Sequence, residues 1–270
     1  MKLSIITITY NNLNGLMNTS GSIAEQSCQD FEWIIIDGGS TDGTVEYVKK
    51  MKRQPEQWIS ERDKGVYDAM NKGIRMANGE YLLFMNAGDV FYASDTLEKA
   101  MGMKIDADVM YGDVIYMHPK KAKAVHFTDR VTLMTLYDQA FNHQSTFIRK
   151  ELLAEKGYDE KYRMVADWKA YLEWFLTGRS FRHLPIYICR YDMTGLSTVN
   201  KNEVYKERDA FFAELLSPEV LEVLQDWHSY QNRQCLRARE YCNKNVVYKR
   251  IIRSTLHLIK WIDDIFSKKR

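Results

Sequence analysis

The sequence is poor in cysteine and proline, and these shortages exclude several classes of protein. Its 270 residues include four cysteines and four prolines. No two cysteines form a CxxC pair and no histidine lies near them at zinc-finger spacing, so neither a disulfide scaffold nor a zinc finger is predicted. The amino-terminal apolar stretch is short, and no apolar run is long enough to cross a bilayer. We therefore predict a cytoplasmic protein.

A strong net charge and the common nucleotide-binding motifs are also missing. The formal net charge is +2, so overall charge gives no indication of a nucleic-acid partner. The first strand is not followed by GxGxxG, and no GxxxxGK[ST] motif occurs. Nucleotide phosphates would have to be held in another way. A Mg²⁺ or Mn²⁺ ion bound by carboxylates and phosphate oxygens is the physical alternative.

What is present is an alternation of strand and helix patterns from residue 1 to about residue 113. Apolar and β-branched runs predict strands at residues 3–9, 33–36, 57–60, 81–85 and from 109. The segments between them predict helices at residues 12–27, 44–51, 66–77 and 94–101. This alternation is typical of an α/β fold with a mostly parallel sheet flanked by helices.

After residue 113 the pattern changes. Two short antiparallel strands are predicted around a turn at 118–120, followed by strands at 145–149 and 181–191 and a helix at 168–176. Beyond residue 200 only helical patterns occur, with Pro218 opening one helix. We predict one domain over residues 1–200 with halves 1–113 and 114–200, and a basic helical extension over 201–270.

Four polar clusters fall where predicted strands end. They are Thr9-Tyr10-Asn11, residues 37–40, residues 60–65 and residues 86–89. Turns favour such residues anyway, so one cluster alone would indicate little. Because ligands of open parallel sheets bind beyond the carboxyl ends of the strands, four clusters in register predict a ligand site at this edge.

Three stretches resemble the family 2 glycosyltransferases of the GT-A fold. They are SIITITYN at residues 4–11, QS with FEWIIIDGGSTDGT at residues 26–27 and 31–44, and NGEYLLF at residues 78–84. The resemblance covers about residues 3–92 and, more loosely, 108–198. It implies a Rossmann-like GT-A sheet and an inverting transferase. Such an enzyme uses a nucleotide sugar, here a UDP-sugar, and a divalent cation.

The resemblance also implies which residues bind the donor. Thr7, Thr9 and Tyr10 match the edge on which the nucleotide base lies, with Tyr10 stacked on the base. Asp37 matches an acid that hydrogen-bonds the base or ribose, although the family usually has two acids where this chain has Asp37-Gly38. A further segment matches the loop and helix start near ribose and diphosphate, namely Asp63, Lys64, Asp68 and Asn71. For Asp68 and Asn71, an ordinary polar helix face is the alternative.

Residues 86–89 match the position of the family's DXD metal motif. Asn86 replaces the first acid and Gly88 the second, while Ala87 lies between them and Asp89 is retained. We therefore expect Asn86, Ala87 and Gly88 to contact the donor and Asp89 to bind the metal, with a helix cap as its alternative role. His143 could contact the diphosphate, join Asp89 as a ligand, or form only structural hydrogen bonds.

Inverting transfer needs a carboxylate to take the proton of the acceptor hydroxyl. The family places this base before a tryptophan-containing helix, where this chain has Asp167-Trp168. Asp167 is the predicted base, and an N-cap of that helix is its structural alternative. The segment from Arg190 to Ser197 resembles the loop that closes over donor phosphates, so Ser197 is a predicted donor contact.

The tail between residues 244 and 270 carries eight basic residues, opposed only by Asp263 and Asp264, with apolar residues at helical spacing. A basic amphipathic helix can lie on an anionic membrane, pack on its own domain or form a homodimer contact. The predicted acceptor is a hydroxyl of a glycan or lipid-linked saccharide in surface polysaccharide synthesis. Two alternatives stay open: a non-catalytic nucleotide or glycan binder, and a sugar-phosphate nucleotidylyltransferase.

Overall fold

The computed structural model describes residues 2–103, 106–118, 121–193 and 200–230. The first part of the chain alternates strands and helices. Its elements are β1 (Leu3–Thr9), α1 (Leu13–Ala24), β2 (Phe31–Asp37), α2 (Thr44–Lys50), β3 (Gln57–Ser60), α3 (Val66–Met76), β4 (Tyr81–Phe84), β5 (Val90–Phe91) and α4 (Thr96–Met101).

The second part contains longer strands and shorter helices. Its elements are β6 (Val109–His118), β7 (Lys121–Val125), α5 (Leu133–Asp138), a 3₁₀ turn (His143–Ser145), β8 (Thr146–Arg149), α6 (Glu151–Ala154), α7 (Ala166–Leu176), β9 (Phe181–Asp192) and α8 (Lys201–Leu215). The sequence pattern did not predict β5, α5, α6 or the 3₁₀ turn, because such short elements show too few repeats of their period.

The described strands form one nine-stranded sheet in the order β3-β2-β1-β4-β8-β6-β9-β5, with β7 paired to β6. The segment β3-β2-β1-β4 is parallel throughout. From β4 onward the sheet is mixed, because β8 runs antiparallel to β4 and β6, whereas β6 and β9 are parallel. The predicted α/β class is confirmed, and its parallel part is the first half of the chain.

The register of the parallel strands brings the polar clusters to one edge. Thr9 at the end of β1 pairs with Asp37 at the end of β2, and Asp37 pairs with Ser60 at the end of β3. The turn at residues 86–89 follows β4, and the backbone N–H of Ala87 donates to the carbonyl of Ile8 at 3.1 Å. The polar clusters after β1 to β4 therefore lie at one edge of the sheet.

Helix α3 lies close against the sheet because of a glycine. A Cβ on Gly73 would lie 2.5 Å from a side-chain carbon of Ile6 in β1, a distance that a side chain could not tolerate. Ile6 is fully buried, and Tyr67 near the start of α3 is 5% exposed. Close packing at Gly73 fixes the position from which Tyr67 reaches the candidate site.

The chain divides into two compact units, Met1–Leu215 and Leu216–Arg270. The first unit extends beyond residue 200, because Phe211 and Phe212 of α8 pack with ring centroids 6.0 and 6.3 Å from Trp168 of α7. In the second unit a helix spans the described residues 218–230, beginning at Pro218 as predicted. The basic segment 244–270 lies outside the described residues. No described helix is long and apolar enough to cross a membrane.

Candidate active site

A cleft of about 540 Å³ opens beyond the carboxyl ends of β1 and β4. Asp89 and Asp167 both line it, together with Asn86 and His143. Further walls come from the start of α3, residues 138–144, the end of β9 and the first turns of α8. The volume is typical of a small-molecule site. The fold thus brings the predicted base and the motif at residues 86–89 into one cavity, although 78 positions separate Asp89 from Asp167 in the chain.

Asp167 lies in the first turn of α7, with 13% of its side chain exposed. Its Oδ1 accepts hydrogen bonds from the hydroxyl of Tyr67 at 2.7 Å and from the backbone N–H of Trp168 at 2.9 Å. Its Oδ2 lies 2.9 Å from Nδ1 of His143. Val165 is the N-cap residue of α7, so Asp167 does not have the capping role that was its structural alternative.

His143 begins the 3₁₀ turn before β8 and is bonded through both ring nitrogens. Its Nδ1 faces Asp167, and its Nε2 lies 2.9 Å from Nδ2 of Asn86. The other amide atom of Asn86, Oδ1, is buried and has no hydrogen-bond partner among the described residues. A hydrogen-bonded row therefore runs from the turn at 86–89 through His143 to Asp167.

Asp89 is 4% exposed and carries two hydrogen bonds to its carboxylate. Oδ2 accepts from the amide of Gln144 at 2.7 Å, and Oδ1 accepts from the backbone N–H of Asp192 at 2.8 Å. Burial raises the pKa of Asp89 to about 7, against the opposing effect of these two donors. In this arrangement Asp89 ties the 3₁₀ turn before β8 and the end of β9 to the turn at 86–89.

The residues around this turn do not fit a metal centre as they are arranged. Among the described ranges no three His, Cys, Asp or Glu side chains are grouped so that they could hold an ion. The two predicted ligands are committed to protein partners, Asp89 to N–H donors and His143 to Asn86 and Asp167. Asn86 offers only a neutral carbonyl oxygen.

At the predicted base-binding edge, the side chains of Thr7, Thr9 and Tyr10 differ in exposure. The Tyr10 side chain is 64% exposed, so its ring is open to stacking. The hydroxyl of Thr9 is buried without a partner among the described residues. Thr7 is fully buried, and its hydroxyl accepts from the indole N–H of Trp33 at 3.0 Å. Thr7 therefore packs inside the sheet and does not lie on the ligand edge as expected.

Asp37 organises the loop that follows β2. Its Oδ2 accepts from the backbone N–H of Ser40 at 3.0 Å and from the hydroxyl of Ser60 at 2.6 Å, and its Oδ1 accepts from the hydroxyl of Ser40. The side chain is 1% exposed. Asp37 joins the ends of β2 and β3, and a ligand would have to compete with these serines for its carboxylate.

Asp63 brings a second carboxylate next to Gly38. A Cβ on Gly38 would lie 2.4 Å from Oδ2 of Asp63 and 3.2 Å from the ring of Tyr10. Burial raises the pKa of Asp63, partly offset by the backbone N–H of Gly65. The family usually has an acid in place of Gly38, and here a carboxylate from the loop after β3 lies in the adjacent space. This feature was not predicted, because it joins two loops that are distant in the sequence.

The remaining predicted donor residues near α3 have different surroundings. Lys64 is exposed, and its backbone N–H donates to Asp68 at 2.9 Å. Asn71 is 5% exposed, and its amide bonds both the N–H and the carbonyl of Tyr158, at 2.7 and 2.9 Å. Asn71 thus holds the loop before α7 and does not face the donor as expected, because paired backbone groups occupy its amide.

The turn at 86–89 also places Ala87 and Gly88. The carbonyl of Ala87 accepts from Nδ2 of Asn12 at 3.0 Å, and the N–H of Gly88 donates to Thr19. Gly88 has φ +111°, a conformation that favours glycine. The predicted donor contact Ser197 lies outside the described residues.

Sequence comparison identifies the family. The model of Glycosyl transferase family 2 matches residues 4–163. A PGL/p-HBAD biosynthesis glycosyltransferase of Mycobacterium bovis is 34% identical over 215 residues, which cover 76% of this chain and 82% of the relative. This chain belongs to glycosyltransferase family 2. A second glycosyltransferase, from Mycobacterium tuberculosis, is 31% identical over 221 residues, covering 79% and 81% of the two chains.

Solved structures show the fold of this family 2 glycosyltransferase. S. aureus TarS 1–349 in complex with UDP matches with a TM-score of 0.62 at 20% identity, covering 82% of this chain and 68% of TarS 1–349. The mannosyltransferase PcManGT of Pyrobaculum calidifontis, in complex with GDP-Man and Mn²⁺, matches with a TM-score of 0.57 at 20% identity, covering 78% and 63%. The expected GT-A-type α/β fold is confirmed.

Three residues of the site in this glycosyltransferase were not predicted, namely Tyr67, Gln144 and Asp192. Tyr67 lies on the apolar side of a helix, where an aromatic residue is usually part of the core. Gln144 precedes β8 and Asp192 ends β9, and the sequence did not indicate how these strands pair. The available signal was position: Tyr67 lies inside the 63–71 segment, Gln144 follows His143, and Asp192 lies inside the 190–197 segment.

Proposed function

We propose that this glycosyltransferase moves a sugar from a nucleotide-diphosphate donor, a UDP-sugar, to an acceptor hydroxyl with inversion at the anomeric carbon. The observation that carries the proposal is the shared cleft of Asp167 and residues 86–89, next to the edge formed by Tyr10, Asp37 and Asp63. A donor lying on that edge with its diphosphate near the turn presents its anomeric carbon to the cleft that Asp167 borders.

The proposed reaction is a direct displacement. The acceptor oxygen forms a bond to the anomeric carbon while the bond from that carbon to the diphosphate oxygen breaks, and Asp167 takes the proton of the hydroxyl. The cleft also carries the cationic residues Arg163 and Lys201, and Lys64 lies on the loop before α3. Cationic side chains near the departing diphosphate offset its charge as it leaves.

The acceptor that we propose is a hydroxyl of a glycan or lipid-linked saccharide. Aromatic side chains line the cleft, among them Tyr116, Trp168, Tyr191 and Tyr205. Aromatic rings offer apolar surface on which the apolar face of a sugar ring can pack, with polar groups at the ring edge. The PGL/p-HBAD biosynthesis relative supports a role in making a glycolipid or surface glycan.

A donor panel tests the function. The purified protein is incubated with UDP-hexose, UDP-N-acetylhexosamine and GDP-hexose donors, with and without Mn²⁺, and nucleotide release is measured. We expect turnover with a UDP-sugar, a product whose anomeric configuration by NMR is opposite to that of the donor, and loss of at least about a hundredfold in kcat for Asp167→Asn. Donor binding should survive in Asp167→Asn, because the base does not hold the nucleotide. Retained configuration or a fully active Asp167→Asn would refute the proposal.

The non-catalytic alternative has one observation in its favour, the neutral residues Asn86 and Gly88 in the motif. It predicts that the protein binds nucleotides but gives no turnover, not even slow hydrolysis, with any donor of the panel. The same panel therefore decides between the two functions.

A further inference from the structure

Asp167 accepts three hydrogen bonds from the protein, and these account for most of its acceptor capacity. Oδ1 receives the Tyr67 hydroxyl and the Trp168 N–H, while Oδ2 has His143 as its only described partner. An ionised carboxylate has about four lone-pair positions, two on each oxygen. Among the described residues, both positions on Oδ1 are therefore filled and one position on Oδ2 is open.

The neighbours of His143 indicate which of its ring nitrogens carries the proton. Asp167, the ionised base of the proposal, offers only acceptor atoms, so the ring nitrogen that faces it carries a proton, while the amide of Asn86 bonds the other ring nitrogen, Nε2. The ring proton is then on Nδ1 and is donated to Oδ2 of Asp167 at 2.9 Å. With Nε2 occupied by Asn86, His143 does not itself face the acceptor as a base.

The Tyr67 hydroxyl stays protonated and therefore remains a hydrogen-bond donor to Asp167. It is 5% exposed, and burial raises the pKa of its hydroxyl well above the ordinary value, so the phenol remains protonated. It comes from α3, directly after the Asp63–Gly65 loop, whereas Asp167 comes from α7. The hydrogen bond thus connects the donor side of the cleft with the candidate base.

We propose that Tyr67 and His143 are positioning residues that, together with the Trp168 N–H, fill three acceptor positions of Asp167 and leave one lone pair of Oδ2 to take the proton of the acceptor hydroxyl. The inference rests on the proposed function, in which Asp167 is the base. During transfer the hydroxyl O–H bond breaks, its proton passes to Oδ2, and the oxygen bonds the anomeric carbon as the diphosphate leaves. Asn86, in the place of a metal-motif acid, bonds Nε2 and so holds the His143 ring with Nδ1 toward Asp167.

The first test removes the Tyr67 hydroxyl. Tyr67→Phe should lower kcat by about ten- to a hundredfold while the donor KM and the Kd for UDP stay within about twofold, because a hydrogen bond to a charged group is lost away from the nucleotide. Tyr158→Phe is the matched control. Its ring centroid lies 5.4 Å from that of Tyr67, and its buried hydroxyl has no partner among the described residues. A kcat of Tyr67→Phe equal to that of Tyr158→Phe would overturn the inference.

The second test separates the two nitrogens of His143 and does not depend on Tyr67. His143→Asn keeps an N–H donor near the place of Nδ1, whereas His143→Gln places its amide near Nε2. We expect His143→Asn to retain at least about fivefold more kcat than His143→Gln. Equal values, or the reverse order, would refute the assigned role of Nδ1.

Double variants distinguish failure of this inference from failure of the proposed function. In the Asp167→Asn background, Tyr67→Phe should cause less than about twofold further loss, because both changes act on one group. Full multiplication of the two losses would mean that Tyr67 acts elsewhere. If Asp167→Asn alone is nearly as active as wild type, the proposed base is refuted. If it is inactive while Tyr67→Phe and both His143 variants are fully active, only the positioning roles fail.

Discussion

The carboxylate of Asp63 lies in the space that a side chain at position 38 would occupy, and that position is a glycine, Gly38. The separation between Oδ2 of Asp63 and a Cβ built on Gly38 would be 2.4 Å, and the Tyr10 ring would lie 3.2 Å from the same Cβ. Asp37 precedes Gly38 and is bonded by Ser40 and Ser60. The edge on which we place the nucleotide therefore carries two carboxylates from two different loops.

Gly38→Ala should weaken UDP binding by about tenfold or more, because the added methyl group must displace Asp63 or the Tyr10 ring. Gly21→Ala is the control. A Cβ at Gly21 meets nothing within 4 Å, and alanine favours the helix by roughly 0.5–1 kcal/mol. Titration calorimetry with UDP measures both variants. If Gly38→Ala binds UDP as tightly as Gly21→Ala, the Asp63 carboxylate plays no part in nucleotide binding.

Asn71→Ala should reduce the free energy of unfolding by about 2–4 kcal/mol, because it leaves the N–H and the carbonyl of Tyr158 unpaired in a buried place. Its donor KM, measured well below the melting temperature, should stay within about twofold of wild type. Lys64→Ala, at an exposed position, should show the opposite pattern of weaker donor binding and unchanged stability. Urea unfolding and donor kinetics on the two variants provide the comparison. A raised donor KM in Asn71→Ala would indicate that Asn71 does contact the donor, as the sequence predicted.

Asp89 should make the stability of the protein depend on pH. Its pKa of about 7 in the fold lies above the value of roughly 4 in an unfolded chain. Between these values the folded state binds more protons, so stability falls as pH rises. From pH 5 to pH 8, wild type should lose about 2–3 kcal/mol relative to Asp89→Asn, which has no such group.

Urea unfolding at several pH values measures this change. Asp95→Asn is the control, because the Asp95 side chain is 46% exposed and pairs with Lys99 on the surface. It should follow wild type across the pH range. A constant difference between wild type and Asp89→Asn would mean that Asp89 stays ionised in the fold.

Mn²⁺ alone should change the melting temperature by less than about 1 °C, because the described residues present no group of three metal-binding side chains. UDP should raise the melting temperature, and UDP with Mn²⁺ should raise it further if the diphosphate supplies most of the ion's ligands. Differential scanning fluorimetry with the four combinations measures both effects. A large shift with Mn²⁺ alone, lost in Asp89→Asn, would demonstrate a preformed metal site and contradict the geometry described above.

Much of the first half of the fold was predictable because its signals are local. The strand at Leu3–Thr9 has the predicted bounds, since an apolar and β-branched run marks a buried strand, and the short strand at Gln57–Ser60 also has its predicted bounds. The second half was harder to predict. The two residues of β5 and the six of α5 are too short for a period to emerge, and the antiparallel pairing of β8 with β4 joins residues more than sixty positions apart.

The sequence by itself determined which chemical groups follow each strand, because hydrophobic periodicity locates the strand ends and the parallel order of the first strands brings those ends together. Only the tertiary structure decided what each group does. Thr7 and Asn71 are polar residues at the expected positions, but the Thr7 hydroxyl is hydrogen-bonded to the Trp33 indole and the Asn71 amide to the Tyr158 backbone. The contact of Tyr67 with Asp167 joins residues 100 positions apart. Burial and hydrogen-bond partners depend on which distant segments of the chain come into contact, and local sequence patterns do not specify those contacts.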